Sequence, residues 1–129
     1  MANVGFNNIQ CRTKGVKIVT LRLRILGNTT PANGTFSIVG GDGAASLTRT
    51  GTGAYRITLQ DKYLSLVGAT LQALAATAID LVPQLVAEDV ASAKTVDFKM
   101  LAGATATDTA NGVTQDVFAT LYLKDTAAR

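Results

Sequence analysis

The sequence predicts an all-β fold, a single-domain β-sandwich or jelly roll of about seven or eight short strands. Three observations support this prediction. Apolar residues alternate with polar ones over short runs, turn-forming residues recur roughly every ten positions, and nearly half of the residues are apolar with few aromatics. The 129 residues suffice for one domain with its own core. We expect residues 1–129 to form this domain, with residues 1–15 as a candidate extended N-terminal arm.

The clearest alternation begins at Val19 and predicts a strand with one buried face and one solvated face. The apolar face comprises Leu21, Leu23 and Ile25, and the polar face comprises Thr20, Arg22 and Arg24. Turn residues fill positions 27–34, and a short strand is expected over residues 35–39. A β-hairpin is then predicted from the two alternating segments at 47–49 and 55–59, because the glycines between them permit positive φ angles.

The second half of the chain is less uniform. Residues 67–79 are rich in alanine, yet their alternation favours a strand over a helix, and residues 81–93 fit either state. Residues 94–101 alternate between polar and apolar side chains, which predicts a further strand. Residues 102–114 are small and polar, which predicts a long mobile loop or an arm that orders on contact.

The last strand places two aromatic side chains on the face opposite its apolar residues. Val117, Ala119, Leu121 and Leu123 form the predicted inner face. Phe118 and Tyr122 would then need cover from a second sheet or from another subunit, so they are candidate subunit contacts. A core of small aliphatic residues also favours self-association.

The composition leaves few routes to catalysis. The chain has no histidine, which removes the commonest general base and the commonest metal ligand. Cys11 is the single cysteine, and we interpret it as a small buried residue rather than a reactive thiol. The two glycine-rich stretches, residues 40–43 and 51–53, lack the strand–loop–helix context of phosphate loops, and we interpret them as tight turns. We therefore predict that the protein is not an enzyme and uses no cofactor or metal.

Basic residues are concentrated in the N-terminal third. Five of them precede Asp42, which is the first acidic residue: Arg12, Lys14, Lys17, Arg22 and Arg24. Such a distribution suits contact with an acidic protein surface or a phosphate backbone, and it equally fits chance clustering on a solvated strand face. Aromatic residues are few and are not interleaved with the basic ones, so contact with a protein is favoured over nucleic acid.

No apolar run of signal-peptide or membrane-helix type is present, and we expect synthesis in the cytoplasm without a membrane contact.

A resemblance to small virion proteins of tailed phages begins at residues 48–59, which read TRTGTGAYRITL. In those proteins a strand, a Thr/Gly turn and a Tyr-x-Ile/Val-x-Leu strand recur. Residues 94–105, a following loop and a final Leu-x-Leu strand extend the resemblance over residues 45–124. It does not cover the basic N-terminal segment, and no capsid-binding signature is matched in residues 1–15.

The resemblance implies a capsid decoration or cement protein. Such a protein would assemble as a trimer on the outer surface of the phage capsid and contact the major capsid protein, with the five basic residues as candidate capsid contacts. A tail, neck or fibre component is an alternative within the virion. A carbohydrate- or nucleic-acid-binding β module is an alternative of another class.

Overall fold

The computed structural model describes residues 16–75 and 81–124. These residues contain nine β-strands and one short 3-10 turn, Pro31–Asn33. The strands are β1 Val16–Leu26, β2 Thr35–Gly41, β3 Ala44–Gly51, β4 Ala54–Leu59, β5 Ser65–Ala75, β6 Leu81–Asp89, β7 Thr95–Ala102, β8 Thr105–Ala106 and β9 Thr114–Lys124. The predicted all-β class is confirmed.

The strands form two antiparallel sheets that pack face to face as a sandwich. The four-stranded sheet has the order β2-β1-β9-β5, and the five-stranded sheet has the order β3-β4-β7-β6 with β8 paired to β7. The core lies between the two inner faces. It contains the apolar residues that the alternation placed together, among them Leu21, Leu23 and Ile25 of β1 and Val117, Leu121 and Leu123 of β9.

The predicted hairpin at residues 47–59 is also present. Leu47 of β3 pairs with Ile57 of β4, and the connecting turn contains Gly53 at a φ of 63°. The Gly53 carbonyl accepts a hydrogen bond from the Met100 amide at 2.8 Å. The turn is therefore fastened to β7, the neighbour of β4 in the sheet.

The ambiguous region, residues 67–93, is β-strand over residues 67–75 and 81–89 and turn over residues 90–93. β5 covers residues 65–75 and β6 covers residues 81–89, so the helical alternative for residues 81–93 is not realised. Residues 76–79 of the predicted strand lie outside the described residues. Pro83 is tolerated because β6 is the last strand of its sheet, where one side of the backbone needs no partner for an amide.

Residues 102–114 are mostly loop, as predicted, but they include one short strand and are tied to the sheets by hydrogen bonds. Thr105 and Ala106 form β8 against β7. Asp108 accepts hydrogen bonds from Arg49 Nε at 3.0 Å and from the Gly53 amide at 2.9 Å. These contacts anchor a segment that has little apolar surface of its own, and β8 is a further strand beyond the seven or eight expected.

All four strands at the sheet edges carry a register irregularity. The extra residues, which have no partner in the pairing, are Val39 in β2, Ala45 and Thr50 in β3, Val67 in β5 and Val86 in β6. Bulges bend an edge strand and interrupt its row of free backbone groups, which opposes pairing with another edge. The three valines are consequently exposed at the rims of the sandwich.

Gly41 is required by the backbone at the end of β2. Its φ is 94°, and a Cβ atom there would overlap the carbonyl oxygen of Thr20. We expect Gly41→Ala to lower the free energy of unfolding by roughly 1–3 kcal/mol, measured by urea denaturation. Gly51→Ala is the control, because no atom lies within 4 Å of the added methyl group and no positive φ is involved. Equal stability of the two variants would contradict this account.

Candidate functional site

The solvent side of the four-stranded sheet gathers the candidate binding residues, and we call it the basic–aromatic face. Alternation along each strand sends one set of side chains into the core and the other to this face. Cross-strand pairing aligns its members, which are Gly40 of β2, Ile18, Thr20, Arg22 and Arg24 of β1, Asp116, Phe118, Thr120, Tyr122 and Lys124 of β9, and Thr70, Gln72 and Leu74 of β5.

This face unites two sets of residues that the sequence suggested separately. Arg22 pairs directly with Phe118 across β1 and β9, and its guanidinium carbon lies 5.2 Å from the centroid of the Phe118 ring. Tyr122 pairs with Ile18 in the same way. Phe118 is 38% exposed and Tyr122 is 36% exposed. The second sheet covers the opposite side of β9, so it leaves both aromatic side chains open to solvent.

Lys17 is the one further basic candidate within the described residues, and it does not join this surface. Lys17 occupies an odd position of β1, whereas Arg22 and Arg24 occupy even ones, so it lies on the other side of the sheet at its end. The Lys17 Nζ atom is 5.9 Å from the centroid of the Tyr63 ring. Arg12 and Lys14, like Cys11, lie outside the described residues. The three basic candidates that the structure describes are thus divided between two faces of the sheet.

Asp116 holds the two arginines in place, a role that the sequence analysis missed. Arg22 Nε donates to Asp116 Oδ2 at 2.7 Å, and Arg24 Nε donates to Asp116 Oδ1 at 2.9 Å. The side chain of Asp116 is only 5% exposed, whereas those of Arg22 and Arg24 are 42% and 41% exposed. The hydrogen bond from Arg24 and then that from Arg22 hold the pKa of Asp116 below its usual value. This carboxylate is therefore shielded, while both guanidinium groups remain accessible.

The net charge of the face is positive. Arg22, Arg24 and Lys124 supply three cations, and Asp116 is the single carboxylate among the members of the face. On the outer side of the five-stranded sheet, Arg56 pairs with Asp97 at 2.8 Å. A ligand that approaches the basic–aromatic face meets an excess of positive charge over aromatic surface.

A shallow depression of about 240 Å³ opens beside Arg22. Its lining consists of Thr20, Leu21, Arg22, Gly40, Gly41 and Phe118. The depression exists because two successive glycines at the end of β2 place no side chain next to Arg22. Sequence reasoning interpreted the two glycines only as part of a turn, since the strand register that brings them to Arg22 is not visible in the sequence.

A second charged cluster has a structural role. Arg49 and Asp108 form a bidentate ion pair, with Nη2 to Oδ2 also at 3.0 Å, and both side chains are mostly buried. The hydrogen bond from Arg49 lowers the pKa of Asp108. Burial raises the pKa of the neighbouring Tyr55 hydroxyl. The cluster joins β3, the hairpin turn and the segment after β8.

Within residues 16–75 and 81–124, no three His, Cys, Asp or Glu residues are grouped as a metal site requires. No helix in the same part of the chain is long and apolar enough to cross a membrane.

The fold and this face define an all-β sandwich with an open basic and aromatic sheet surface. Comparison of the chain with protein-family models, with curated proteins and with solved structures gives no match.

Proposed function

We propose that the chain is a structural protein of a tailed-phage virion that decorates or cements the outer capsid surface by binding between capsid subunits. The observation that carries the proposal is the basic–aromatic face. Aromatic residues and arginine are enriched in the cores of protein interfaces, and here Arg22, Phe118 and Tyr122 share the solvent-facing side of one sheet. The resemblance of residues 48–59 to virion proteins supports the same proposal, and those residues form the β3–β4 hairpin.

The pKa values of two ion-paired carboxyl groups agree with a binding role. Asp108 and Asp116 have lowered pKa values because arginines donate hydrogen bonds to them. A general acid needs the opposite shift, toward a raised pKa. These carboxylates are therefore ion-pair partners rather than general acids. We propose a protein without catalytic activity.

The proposed partner is the major capsid protein, and the proposed state is a homotrimer on the outer capsid after synthesis in the host cytoplasm. Symmetric assembly places each contact several times on the capsid and strengthens binding by avidity. Light scattering of the purified protein is expected to give about three times the 13.4 kDa mass of one chain. A monomer at micromolar concentration would count against this assembly.

Co-sedimentation tests the location in the virion. Purified protein is mixed with separated heads and tails of the phage that encodes it, across a salt series. We expect saturable binding to heads that weakens as salt rises, because charged contacts are screened. Binding to tails alone would favour a tail, neck or fibre component, and binding to neither would remove the virion proposal.

The N-terminal basic residues give a separate prediction. Neutralising Arg12, Lys14 and Lys17 together is expected to weaken binding to heads and to reduce its salt dependence, if these residues dock the protein. The readout is the fraction of protein that sediments with heads at each salt concentration. Unchanged binding would remove these three residues from the capsid contact.

One observation favours a second candidate, a carbohydrate-binding module. Phe118 and Tyr122 lie on the same side of β9 with Thr120 between them, and Thr20 and Gln72 lie beside them on neighbouring strands. Exposed aromatic rings with adjacent polar groups form platforms on which sugar rings can stack. Glycan-array binding that is abolished by Phe118→Ser would support this candidate over capsid binding.

A further inference from the structure

We propose that the depression beside Arg22 is a binding site for an acidic side chain, Asp or Glu, of the partner protein. This inference rests on the proposed function and specifies which residues meet the partner. Arg22 supplies the cation, Phe118 supplies an apolar wall, and the glycines at the end of β2 leave the space open.

The Arg22 side chain retains donors for a second carboxylate. Its Nε and Nη2 atoms are the ones that contact Asp116, and Nη1 makes no hydrogen bond to any residue within 16–75 or 81–124. A guanidinium group can bind two carboxylates at once because its five N–H groups point in different directions. Asp116 and the Phe118 ring fix the plane of the group, so little side-chain entropy remains to be lost on binding.

The depression is kept open at a position where the backbone does not demand glycine. Gly41 needs its positive φ, but Gly40 has no such φ, and a Cβ atom there would lie 3.5 Å from the Cβ atom of Arg22. That distance is an ordinary van der Waals contact. A larger residue at position 40 would therefore fit the strand and fill the space beside Arg22. The site can be closed by one substitution with little expected effect on the fold.

Charge decides which partner fits. Arg22 and Arg24 flank one shielded carboxylate and Lys124 lies at the far end of β9, so the same face of a second copy would oppose positive charge with positive charge. Aliphatic side chains at the margins, Ile18 and Leu74, are exposed and suit a protein surface rather than a phosphate backbone. An acidic and partly apolar protein surface is complementary in both respects.

The test compares Gly40→Leu, which fills the depression, with Gly51→Leu on the other sheet, where no atom lies within 4 Å of an added Cβ. Binding to purified heads is measured by co-sedimentation. We expect about a tenfold or greater loss of affinity for Gly40→Leu and for a second variant, Arg22→Gln, and wild-type affinity for Gly51→Leu. Urea midpoints and amide spectra verify that each variant is folded.

The outcomes separate this inference from the proposed function. Wild-type binding to heads together with unchanged binding by Gly40→Leu and Arg22→Gln would overturn the acidic site and leave the capsid proposal standing. A Gly40→Leu variant with a smaller mass in light scattering would assign the depression to contacts between copies, and would overturn it also.

If the wild-type protein binds neither heads nor tails, the capsid proposal fails and a second measurement decides the site. Labelled protein is titrated with a glutamate–tyrosine copolymer and, separately, with oligothymidylate of equal charge. Amide shifts at Thr20, Gly40 and Phe118 with the copolymer, absent in Gly40→Leu, would support the site. Shifts with oligothymidylate alone, or with neither probe, would overturn it.

Discussion

Replacing Phe98 with alanine is expected to lower the free energy of unfolding by about 3–5 kcal/mol. Phe98 is completely buried on β7, which lies between β4 and β6. It pairs with Tyr55 on one side and with Leu85 on the other, and its ring centroid is 5.6 Å from that of Tyr55. Truncation would leave a cavity that rigid neighbouring strands cannot close, so both the transfer energy and packing contacts are lost.

The matched control is the same substitution at Phe118, at the centre of the other sheet. Phe118 is exposed to solvent, and its main neighbour on the face is the Arg22 guanidinium. We expect Phe118→Ala to cost no more than about 1 kcal/mol, as surface aromatic contacts do. Urea denaturation followed by circular dichroism compares the two variants, with equal slopes as the check that both unfold in the same way.

The comparison bears on function as well as on stability. A phenylalanine that contributes little to folding and remains exposed on a central strand is consistent with a role in binding. Equal losses at Phe98 and Phe118 would contradict that interpretation, since Phe118 would then be a core residue. A small loss at Phe118 combined with weaker binding to heads would connect the aromatic ring to the capsid contact.

The fold could be predicted from the sequence where a strand has one buried face and one solvent-exposed face. β7 alternates throughout, β1 alternates from Val19 onward and β9 from Val117 onward, and the buried apolar residues of these segments are those that the sequence indicated. β5 and β6 were less clear because alanine has little preference for a sheet and because Pro83 interrupts the second of them. Their state is determined by pairing with β9 and β7, and that pairing is a tertiary property.

Long-range polar contacts were not predictable. Asp108 is anchored by Arg49, which lies 59 positions away in the sequence. The composition of residues 102–114, which include Asp108, predicted only a mobile loop. The candidate site was not predictable for the same reason, because it depends on contacts between residues that are far apart in the sequence. Arg22 and Phe118 were each recognised as solvent-facing, yet only the antiparallel register of β1 and β9 makes them neighbours. A sequence pattern gives the side of a strand on which a residue lies, but not the residue opposite it.

Replacing Asp116 with asparagine is expected to lower stability by roughly 1.5–3 kcal/mol at neutral pH. The carboxylate is almost fully covered and accepts hydrogen bonds from Arg22 and Arg24. Asparagine keeps the shape but offers one oxygen and no charge, so one arginine loses its partner. Asp97→Asn is the control, because Asp97 pairs with Arg56 at an exposed position and surface ion pairs contribute little.

The pH dependence identifies the cause of this loss. The Arg24 hydrogen bond lowers the pKa of Asp116 in the folded state below the 3.8 of a free side chain. Its stabilising contribution is thus complete above that value and is lost as pH falls through the lowered folded-state pKa. Asp108 adds a loss of the same sign. In urea titrations at several pH values, we expect Asp116→Asn to be less stable than the wild type at pH 7. We also expect its free energy of unfolding to fall less than that of the wild type as the pH is lowered.

Parallel curves of unfolding free energy against pH for the two proteins would show that ionised Asp116 does not stabilise the fold. The face would then need another explanation for its ordered arginines, since Asp116 is the group that holds Arg24 and that holds Arg22 beside Phe118.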